Sequence, residues 1–482
     1  MKIWKINIFI LSVSILLLGL YFIFPKNGLK VGPCKLKFAS FEELKTDTVV
    51  EKVDVDSVLQ TMENTFVMSV SDSLLDSLHY YKKFITESSL RIYLPGDDYC
   101  FFDTIFQSFE NAKYEGETYR ILHYGDSQIE MDRISGVLRN HLQHRFGGSG
   151  IGMVPAIQRI PTTSFSQTFS GNFTRYIVYG DSTTHRASHK RYGPMAQFSA
   201  VDGSGVLSFS AKEKFPESKF SKVSLLVGHN SNDFSAQLSC DTVINEIKRR
   251  EQSDEVLSLV WNLKETASHA ILKLIGDAEV YALLFDGNGG VAVDNVPLRG
   301  CSGTIFTRIN EEVLRQSFGK LKVSLIILQF GGNMMPVIKS QKTIDDYMMR
   351  LEKQFALFRR VVPEAKMLFI GPSDMSRKEN GVYVTWRFLP ELNEAIKQTA
   401  LKNGVAFWNM FETMGGENSM AQWVRHNPPY AVGDHVHFTA QGAKEIGTLL
   451  SKSLLTYYDF YCLRKDLPTD FVHEFIFDAQ NK

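Results

Sequence analysis

The sequence predicts an α/β protein in which an all-β module interrupts a doubly wound parallel sheet. Apolar strands followed by helical segments occur over residues 119–144 and again after residue 290, and this alternation is typical of a parallel sheet covered by helices. Between them, residues 160–290 hold short alternating runs separated by turn residues, which favours a β-sandwich. Aromatic residues make up 12% of the chain, and this content also suits a β-rich interior.

The overall composition and charge exclude several classes of protein. Apolar residues are 44% and charged residues 22% of the 482 positions, as in ordinary globular proteins. The 53 basic residues balance the 53 acidic ones, so nucleic acid is not an expected partner. The five cysteines are dispersed without a CxxC motif, which indicates neither a disulfide framework nor a thiolate metal site. They are Cys34, Cys100, Cys240, Cys301 and Cys462.

The N-terminus carries an almost continuous apolar run over residues 6–24. Its length just spans a hydrocarbon core of about 30 Å. Lys2 and Lys5 precede it, and no Ala-x-Ala cleavage site follows. We therefore expect an uncleaved signal anchor over residues 1–25 rather than a cleaved signal peptide, although the flanking charges do not decide its orientation.

Residues 26–115 are predicted to form a polar, mostly helical lead-in, either a stalk or a packed extension. From residue 119 the pattern changes: Tyr119–Tyr124 predicts a buried strand that runs into Gly125-Asp126-Ser127. A helix-compatible segment then extends from Gln128 to about His144.

Within the β-module, residues 270–275 and 278–285 predict a hairpin joined at Gly276-Asp277. After the module, a buried strand over 323–330 ends at Gly331-Gly332-Asn333. A helix with one apolar face over 344–362 follows it.

The chain ends with further strand–helix units. Strands are expected at 367–370 and 405–408, and the last helix at about 440–455 with Thr439 as its N-cap. The predicted domains are the anchor over 1–25, the lead-in over 26–115, an α/β domain over 116–159 and 290–460, the β-module over 160–289, and a tail over 461–482.

Ser127 is the first candidate for chemistry, because functional sites of doubly wound sheets form outside the carboxyl ends of the strands. A serine hydroxyl needs an adjacent base to act as a nucleophile. A strand-to-helix turn would expose its oxygen and direct backbone N–H groups at the reacting atom. The tripeptide also occurs as Gly180-Asp181-Ser182, where no buried strand precedes it and a plain turn is predicted.

Asp434 and His437 are the second candidates. A carboxylate three residues before a histidine can hold one ring N–H and thereby set the tautomer. The pair also fits a helix-capping turn. A third alternative uses Asp434, His435 and His437 as ligands of zinc or another divalent ion.

Two further segments could donate hydrogen bonds to an oxyanion. Asn333 follows two glycines at a strand end, and its amide suits this purpose, although asparagine is also common in turns. Gly300, in Arg299-Gly300-Cys301-Ser302-Gly303, could bring a backbone N–H close to a reacting carbonyl.

Taken together, these residues resemble the SGNH (GDSL-like) hydrolase superfamily over about residues 119–155 and 290–456. The resemblance implies a flavodoxin-like sheet and ester hydrolysis without a cofactor or metal. It implies that Ser127 is the nucleophile, that His437 is the general base and that Asp434 orients His437. The implied oxyanion hole consists of the Ser127 N–H, the Gly300 N–H, with Gly303 as the alternative, and the Asn333 amide.

Two residues depart from the family pattern. Gln128 stands where the name-giving motif has leucine, and Met334 replaces an aspartate that often follows the asparagine. Cys301 is expected to be a packed loop residue rather than a nucleophile.

A core split by a β-module resembles the bacterial peptidoglycan O-acetylesterases. This implies an acetylated glycan as the partner and removal of its O-acetyl groups. The alternatives are an O-acetyltransferase that uses the same triad, a non-catalytic glycan-binding protein, and a lipase, for which no apolar lid helix is evident. Because structural glycans lie outside the cytoplasmic membrane, we expect an inner-membrane protein, anchored through residues 6–24, whose catalytic domain faces the periplasm or cell exterior.

Overall fold

The structure, a computed structural model, describes residues 74–180, 183–241 and 245–477. Nearer the N-terminus it describes residues 4, 8, 11–13, 15–16, 19, 22, 29–31 and 34–36. Two compact units are present, Met1–Val53 and Asp54–Lys482.

The N-terminal unit contains an antiparallel strand pair, β1 (Leu29–Val31) and β2 (Cys34–Leu36). Most of the predicted anchor over residues 6–24 lies outside the described residues. Within the part of the chain that is described, none of the helices combines the length and apolar character needed to cross a membrane.

The strands and helices of the second unit follow in chain order. The strands are β3 (Ile92–Tyr93), β4 (Thr118–Gly125), β5 (Gly152–Val154), β6 (Phe165–Ile177), β7 (Gln197–Ala211), β8 (Phe220–Asn230), β9 (Phe234–Cys240), β10 (Asn245–Arg250), β11 (Leu257–Ala267), β12 (His269–Ile275), β13 (Ala278–Asp286), β14 (Gly290–Pro297), β15 (Val323–Gln329), β16 (Lys366–Ile370), β17 (Ser376–Glu379), β18 (Val382–Thr385) and β19 (Ala406–Trp408). The helices are α1 (Leu74–Glu87), α2 (Asp103–Glu115), α3 (Ser135–Phe146), α4 (Glu311–Gly319), α5 (Gln341–Val361), α6 (Leu389–Lys402), α7 (Met410–Thr413), α8 (Ser419–Arg425), α9 (Ala440–Arg464) and α10 (Thr469–Phe477).

The central sheet has the order β14-β4-β15-β16-β19-β3. Its first five strands are parallel, and β3 pairs antiparallel at the edge. Counted along the chain, the parallel strands follow the order 2-1-3-4-5, which is the flavodoxin-like arrangement. The predicted doubly wound parallel sheet is therefore confirmed.

Helices cover both faces of this sheet, because each presents one apolar stripe to it. Helices α2, α3 and α9 pack on one face, and α4, α5 and α6 pack on the other. The two cores include Phe106, Leu138 and Ile446 on the first face, and Leu314, Phe355 and Ile396 on the second.

Residues 74–115 of the lead-in and the segment after residue 460 pack against the α/β domain and against each other. Helix α2 contributes to the core beside α9, and α9 continues to Arg464, well beyond its predicted end near residue 455. The Arg464 guanidinium binds the Asp103 carboxylate on α2. Helix α10 shares an apolar cluster with α1 that includes Leu78, Val472 and Ile476.

The β-module is one continuous sheet of nine strands, β5 to β13, and not two separate sheets as a simple sandwich would have. Its main path runs β10-β9-β12-β7-β13-β8-β11. The strands at the two ends of this path, β10 and β11, lie close together. Trp261 Nε1 on β11 donates to the Glu246 carbonyl oxygen on β10 at 3.2 Å. The sheet therefore curls around its own apolar core, and it includes β5, which lies N-terminal to the predicted boundary at residue 160.

The predicted hairpin at Gly276-Asp277 is wrong. Strand β12 pairs with β7 and β9, whereas β13 pairs with β5, β7 and β8. The reason is burial: β12 alternates between exposed and buried residues, but β13 is buried along its whole length. Leu283 faces the module core and Leu284 faces the hydrolase core, so β13 belongs to both.

A buried ion cluster links the module to the central sheet. Arg120 on β4 donates to both Asp294 oxygens, at 2.9 and 3.1 Å, and also to the Asp286 carboxylate on β13. Asp294 additionally accepts from the Met153 N–H at 2.8 Å. These three charged side chains are almost fully buried. The cost of burying each charge is therefore compensated by its ion pairs within the cluster.

Candidate active site

Ser127 lies two residues after the end of β4, in a tight turn. The Asp126 side chain caps this turn by accepting from the Gln128 N–H at 3.0 Å. The segment that follows is an irregular 3-10 stretch over Ser127–Asp132, and α3 begins only at Ser135. The helix predicted from Gln128 therefore starts later, because Met131 and Asp132 adopt left-handed backbone angles.

Ser127, His437 and Asp434 form a continuous chain of hydrogen bonds. Ser127 Oγ lies 3.0 Å from His437 Nε2, and His437 Nδ1 lies 2.8 Å from Asp434 Oδ2. These distances join a hydroxyl, an imidazole and a carboxylate in the arrangement that proton transfer from a serine requires.

The turn from Asp434 to His437 is held by the aspartate itself. Asp434 Oδ1 accepts from the Val436 N–H at 2.9 Å and from the His437 N–H at 3.0 Å. Partial burial alone would raise the pKa of Asp434, but the hydrogen bonds from His437 and Val436 lower it below its ordinary value. Asp434 is therefore held as a carboxylate. Thr439 then caps α9, as predicted, by accepting from the Gly442 N–H at 3.1 Å.

His435 is placed differently from His437. Its ring stacks on Tyr383 of β18 with 3.5 Å between ring centroids. Both ring nitrogens of His437 are already engaged by Ser127 and Asp434. The described residues hold no group of three His, Cys, Asp or Glu side chains arranged to bind a metal ion, so the geometry does not assemble the alternative metal site.

Asn333 reaches the site from the end of β15. Its Nδ2 donates to Asp126 Oδ2 at 3.0 Å and to the Cys301 carbonyl oxygen at 3.2 Å. Both amide hydrogens are thus engaged, and a substrate oxygen would have to replace the longer bond to Cys301. Burial raises the pKa of the Asp126 carboxyl to about 6.

The two candidate glycines differ in their surroundings. The Gly303 N–H donates to Cys301 Sγ at 3.2 Å, and a Cβ at Gly303 would lie 2.6 Å from the Phe330 side chain. Gly300 is exposed in a turn after β14, with no hydrogen-bond partner for its N–H among the described residues. The assignment of Gly300 rather than Gly303 to the oxyanion hole stays a prediction.

Cys301 is unsuited to act as a nucleophile. It is 4% exposed, and burial raises the pKa of its thiol to about 11. Since the thiolate is the reactive form of cysteine, this side chain stays unreactive at neutral pH.

Sequence reasoning missed two residues that fix the turn. Gln128 Nε2 donates to the Val436 carbonyl oxygen at 2.7 Å, and Gln128 Oε1 accepts from the Phe438 N–H at 3.3 Å. Arg133 donates to the carbonyl oxygens of Ser127 and Phe438, at 3.1 and 2.9 Å. Both residues link the turn that carries Ser127 to the loop that carries His437. In the sequence, the only indication of this role was the polar Gln128 at a position where the family motif has leucine.

A cavity of about 190 Å³ opens beside Ser127 and His437. Its walls are largely apolar. The Trp386 indole N–H is buried without a hydrogen-bond partner in the described structure. The apolar walls include Pro336, Pro372, Met375, Trp386 and Met410.

Comparisons with known proteins agree with this geometry. Residues 276–445 match the GDSL-like lipase/acylhydrolase family, a range that includes Gly300, Asn333, Asp434 and His437. No curated protein matches the chain by sequence. A solved structure of a peptidoglycan O-acetylesterase is 20% identical, with a TM-score of 0.59, and the match covers 75% of this chain and 96% of that one. This likeness shows the fold.

Two family two carbohydrate esterases match less well. The structure from Cellvibrio japonicus is 10% identical with a TM-score of 0.24, and it covers 61% of this chain and 99% of its own. The one from Clostridium thermocellum, in complex with cellohexaose, is 11% identical with a TM-score of 0.27, and it covers 59% and 100%. Similarity this low supports no conclusion about the present chain.

The family match and the fold define an ester hydrolase with a GDSL-like acylhydrolase domain. More particularly, residues 276–445 resemble a GDSL-like acylhydrolase domain, and the fold resembles that of a peptidoglycan O-acetylesterase.

Proposed function

We propose that the chain removes O-acetyl groups from an extracytoplasmic polysaccharide through an acyl-enzyme on Ser127. The observation that carries this proposal is the hydrogen-bonded chain from Ser127 through His437 to Asp434. The substrate class is supported by the fold likeness to a peptidoglycan O-acetylesterase.

In the proposed reaction, His437 accepts the Ser127 proton as the hydroxyl attacks the acetyl carbonyl carbon. Asp434 holds Nδ1–H and stabilises the imidazolium that forms. The oxyanion would be bound by the Ser127 and Gly300 N–H groups, with Asn333 joining them when its bond to Cys301 is released. His437 then protonates the departing sugar oxygen, and the same imidazole activates the water that cleaves the acyl-enzyme.

Hydrolysis is favoured over acetyl transfer by the exposure of the base. The side chains of His437 and Asp434 are 40% and 46% exposed. Water therefore reaches the imidazole directly, whereas an acyltransferase must keep water away from its acyl-enzyme.

A small acyl group is favoured by the cavity beside Ser127. Met375, Trp386 and Met410 bound a volume of about 190 Å³, which holds an acetyl group with part of a sugar ring but encloses a long acyl chain poorly.

An ester screen of the full-length chain tests the proposal. The acetyl, butyryl and octanoyl esters of p-nitrophenol should be hydrolysed in falling order, and acetylated glycan should release acetate. Ser127→Ala is the control for contaminating esterases. Preferential cleavage of the octanoyl ester, or no release of acetate from acetylated glycans, would contradict the proposal.

The location is part of the same proposal: the apolar run over residues 6–24 would anchor a catalytic domain that faces the periplasm or cell exterior. A phosphatase fused after Lys482 should be active, since this enzyme works only after export. An inactive phosphatase with a bright fluorescent-protein fusion at the same position would contradict it.

A further inference from the structure

A second cavity, of about 70 Å³, lies where the β-module meets the hydrolase core. Asp132, which ends the turn that begins at Ser127, lines it from the hydrolase side. Pro297 also lines it, and this residue pairs with Gly125 at the end of β4. The cavity therefore adjoins the turn that carries the nucleophile.

The charges in this cavity do not balance. Three arginines and one aspartate line it. Arg139 is fully committed, because it binds both oxygens of Asp132 at 2.6 and 2.9 Å and the Val293 carbonyl oxygen at 2.8 Å. The charges of Arg139 and Asp132 therefore compensate each other, and the positive charges of Arg159 and Arg175 have no negative counterpart in the cavity lining.

Arg175 is the more unusual of the two. It is half-buried on β6, and its Nε donates to the neutral Gln197 Oε1 at 2.6 Å. No carboxylate among the described residues forms an ion pair with it. Burial, together with the positive charge of Arg159, lowers the pKa of Arg175. The fold thus keeps a guanidinium partly out of water without an anion to compensate it.

Tyr179 is near enough to Arg175, Glu130 and Arg299 for their charges to act on its hydroxyl, and burial raises the pKa of that group. Arg299, next to Gly300, binds Glu130 through Nε at 2.6 Å and through a second nitrogen. A ligand on Arg175 would lie beside the turn that begins at Ser127, because Asp132 at the end of that turn lines the same cavity.

We infer that Arg159 and Arg175 form a subsite for a carboxylate carried by the acetylated glycan, on a sugar ring or a substituent near the ester. The inference rests on the proposed function. Arginine binds a carboxylate with two parallel hydrogen bonds, and the terminal nitrogens of Arg175 have no partner among the described residues. The subsite would bind an anionic chain in preference to a neutral one and would hold the ester beside Ser127.

The test compares anionic with neutral substrates of the full chain. The anionic probes are acetylated oligogalacturonide, with ring carboxylates, and acetylated muropeptide, with carboxylates on its substituent. The neutral probes are acetylated xylo-oligosaccharide and p-nitrophenyl acetate. For Arg175→Gln we expect KM to rise about ten- to hundredfold on one or both anionic probes. KM on the neutral probes should stay within about twofold.

Three companion variants make the comparison decisive. Arg159→Gln, at an exposed position, should act in the same direction without risk to the fold. Arg175→Lys keeps the charge but loses the planar fork, so its KM should fall between those of wild type and Arg175→Gln. Arg249→Gln removes an equal charge from β10, which lines neither cavity, and should change nothing.

Equal effects on anionic and neutral substrates, or none on either, would overturn the subsite. Should wild type hydrolyse no ester at all, the proposed function fails, and the subsite is then tested by calorimetry with unacetylated oligogalacturonide and muropeptide. Salt-sensitive binding of either probe that Arg175→Gln abolishes would still support the subsite. If neither probe binds to the wild-type chain, the proposed carboxylate subsite is contradicted.

Discussion

Replacing Asp434 by asparagine tests the proposed triad with little change of shape. Asp434 Oδ1 accepts two backbone N–H groups, at 2.9 and 3.0 Å, whereas Oδ2 accepts only from His437 Nδ1, at 2.8 Å. The asparagine oxygen would keep the two backbone bonds, so its NH2 group would face Nδ1. The imidazole would then favour the tautomer with a proton on Nε2, and this tautomer cannot accept the Ser127 proton.

The magnitude follows from the exposure of the pair. The equivalent change in a buried triad costs about 10⁴ in kcat. Here the two side chains are 46% and 40% exposed, so water can partly replace the lost contact and screen the charge. We therefore expect kcat to fall by about 10²–10³, which corresponds to about 3–4 kcal/mol of activation free energy.

The assay is steady-state hydrolysis of p-nitrophenyl acetate, with thermal unfolding measured in parallel. Asp434→Asn should keep the wild-type Tm, because the backbone bonds remain. Asp434→Ala loses those bonds as well, so it should lower both kcat and Tm. An Asp434→Asn enzyme within about threefold of wild-type kcat would contradict the proposed role of Asp434 in setting the His437 tautomer.

His437→Ala should lower kcat by about 10²–10⁴, the usual contribution of a general base. His435→Ala should keep kcat within about threefold of wild type, and equal losses in the two folded variants would contradict the assignment. Arg120→Met leaves two buried carboxylates without a cation, so urea denaturation should show a loss of about 3–5 kcal/mol in unfolding free energy, and an unchanged midpoint would argue against the buried cluster. Burial raises the pKa of Asp126 from 3.8 to about 6, so the folded state binds this proton more tightly than the unfolded state. Wild type should therefore lose about 2 kcal/mol of stability relative to Asp126→Asn as pH rises from about 4 to about 7, and parallel stability curves would count against it.

The doubly wound parallel sheet and the residues joined in the Ser127–His437–Asp434 chain could be predicted because their signals are local. Each parallel strand is a short apolar run followed by an amphipathic helix, and each candidate residue follows a strand or precedes a helix. The carboxyl ends of parallel strands meet at one edge, so Ser127 and Asn333 could be expected near each other. The Asp434–His437 spacing likewise describes a single turn.

The remaining features depend on contacts between distant parts of the chain. The residues of the turn Gly276-Asp277 do not indicate that β13 packs against two cores. Because β13 does so, it lies apart from β12, with β7 between them. Helix α9 extends to Arg464 because that residue binds Asp103, more than three hundred positions earlier. The second bond of Asn333, to the Cys301 carbonyl oxygen, depends on a loop from another strand. The residue pattern of one segment does not indicate which distant residues it will contact.

The central claim is that Ser127 forms the acyl-enzyme, and trapping that species tests it most directly. The full-length chain is mixed with p-nitrophenyl acetate, quenched in acid within the first turnovers, digested and analysed by mass spectrometry. We expect one acetyl group on the peptide that contains Ser127, and none on the same peptide of Ser127→Ala. Acetylation of another side chain, with Ser127→Ala retaining wild-type turnover, would contradict the assignment of Ser127 as the nucleophile.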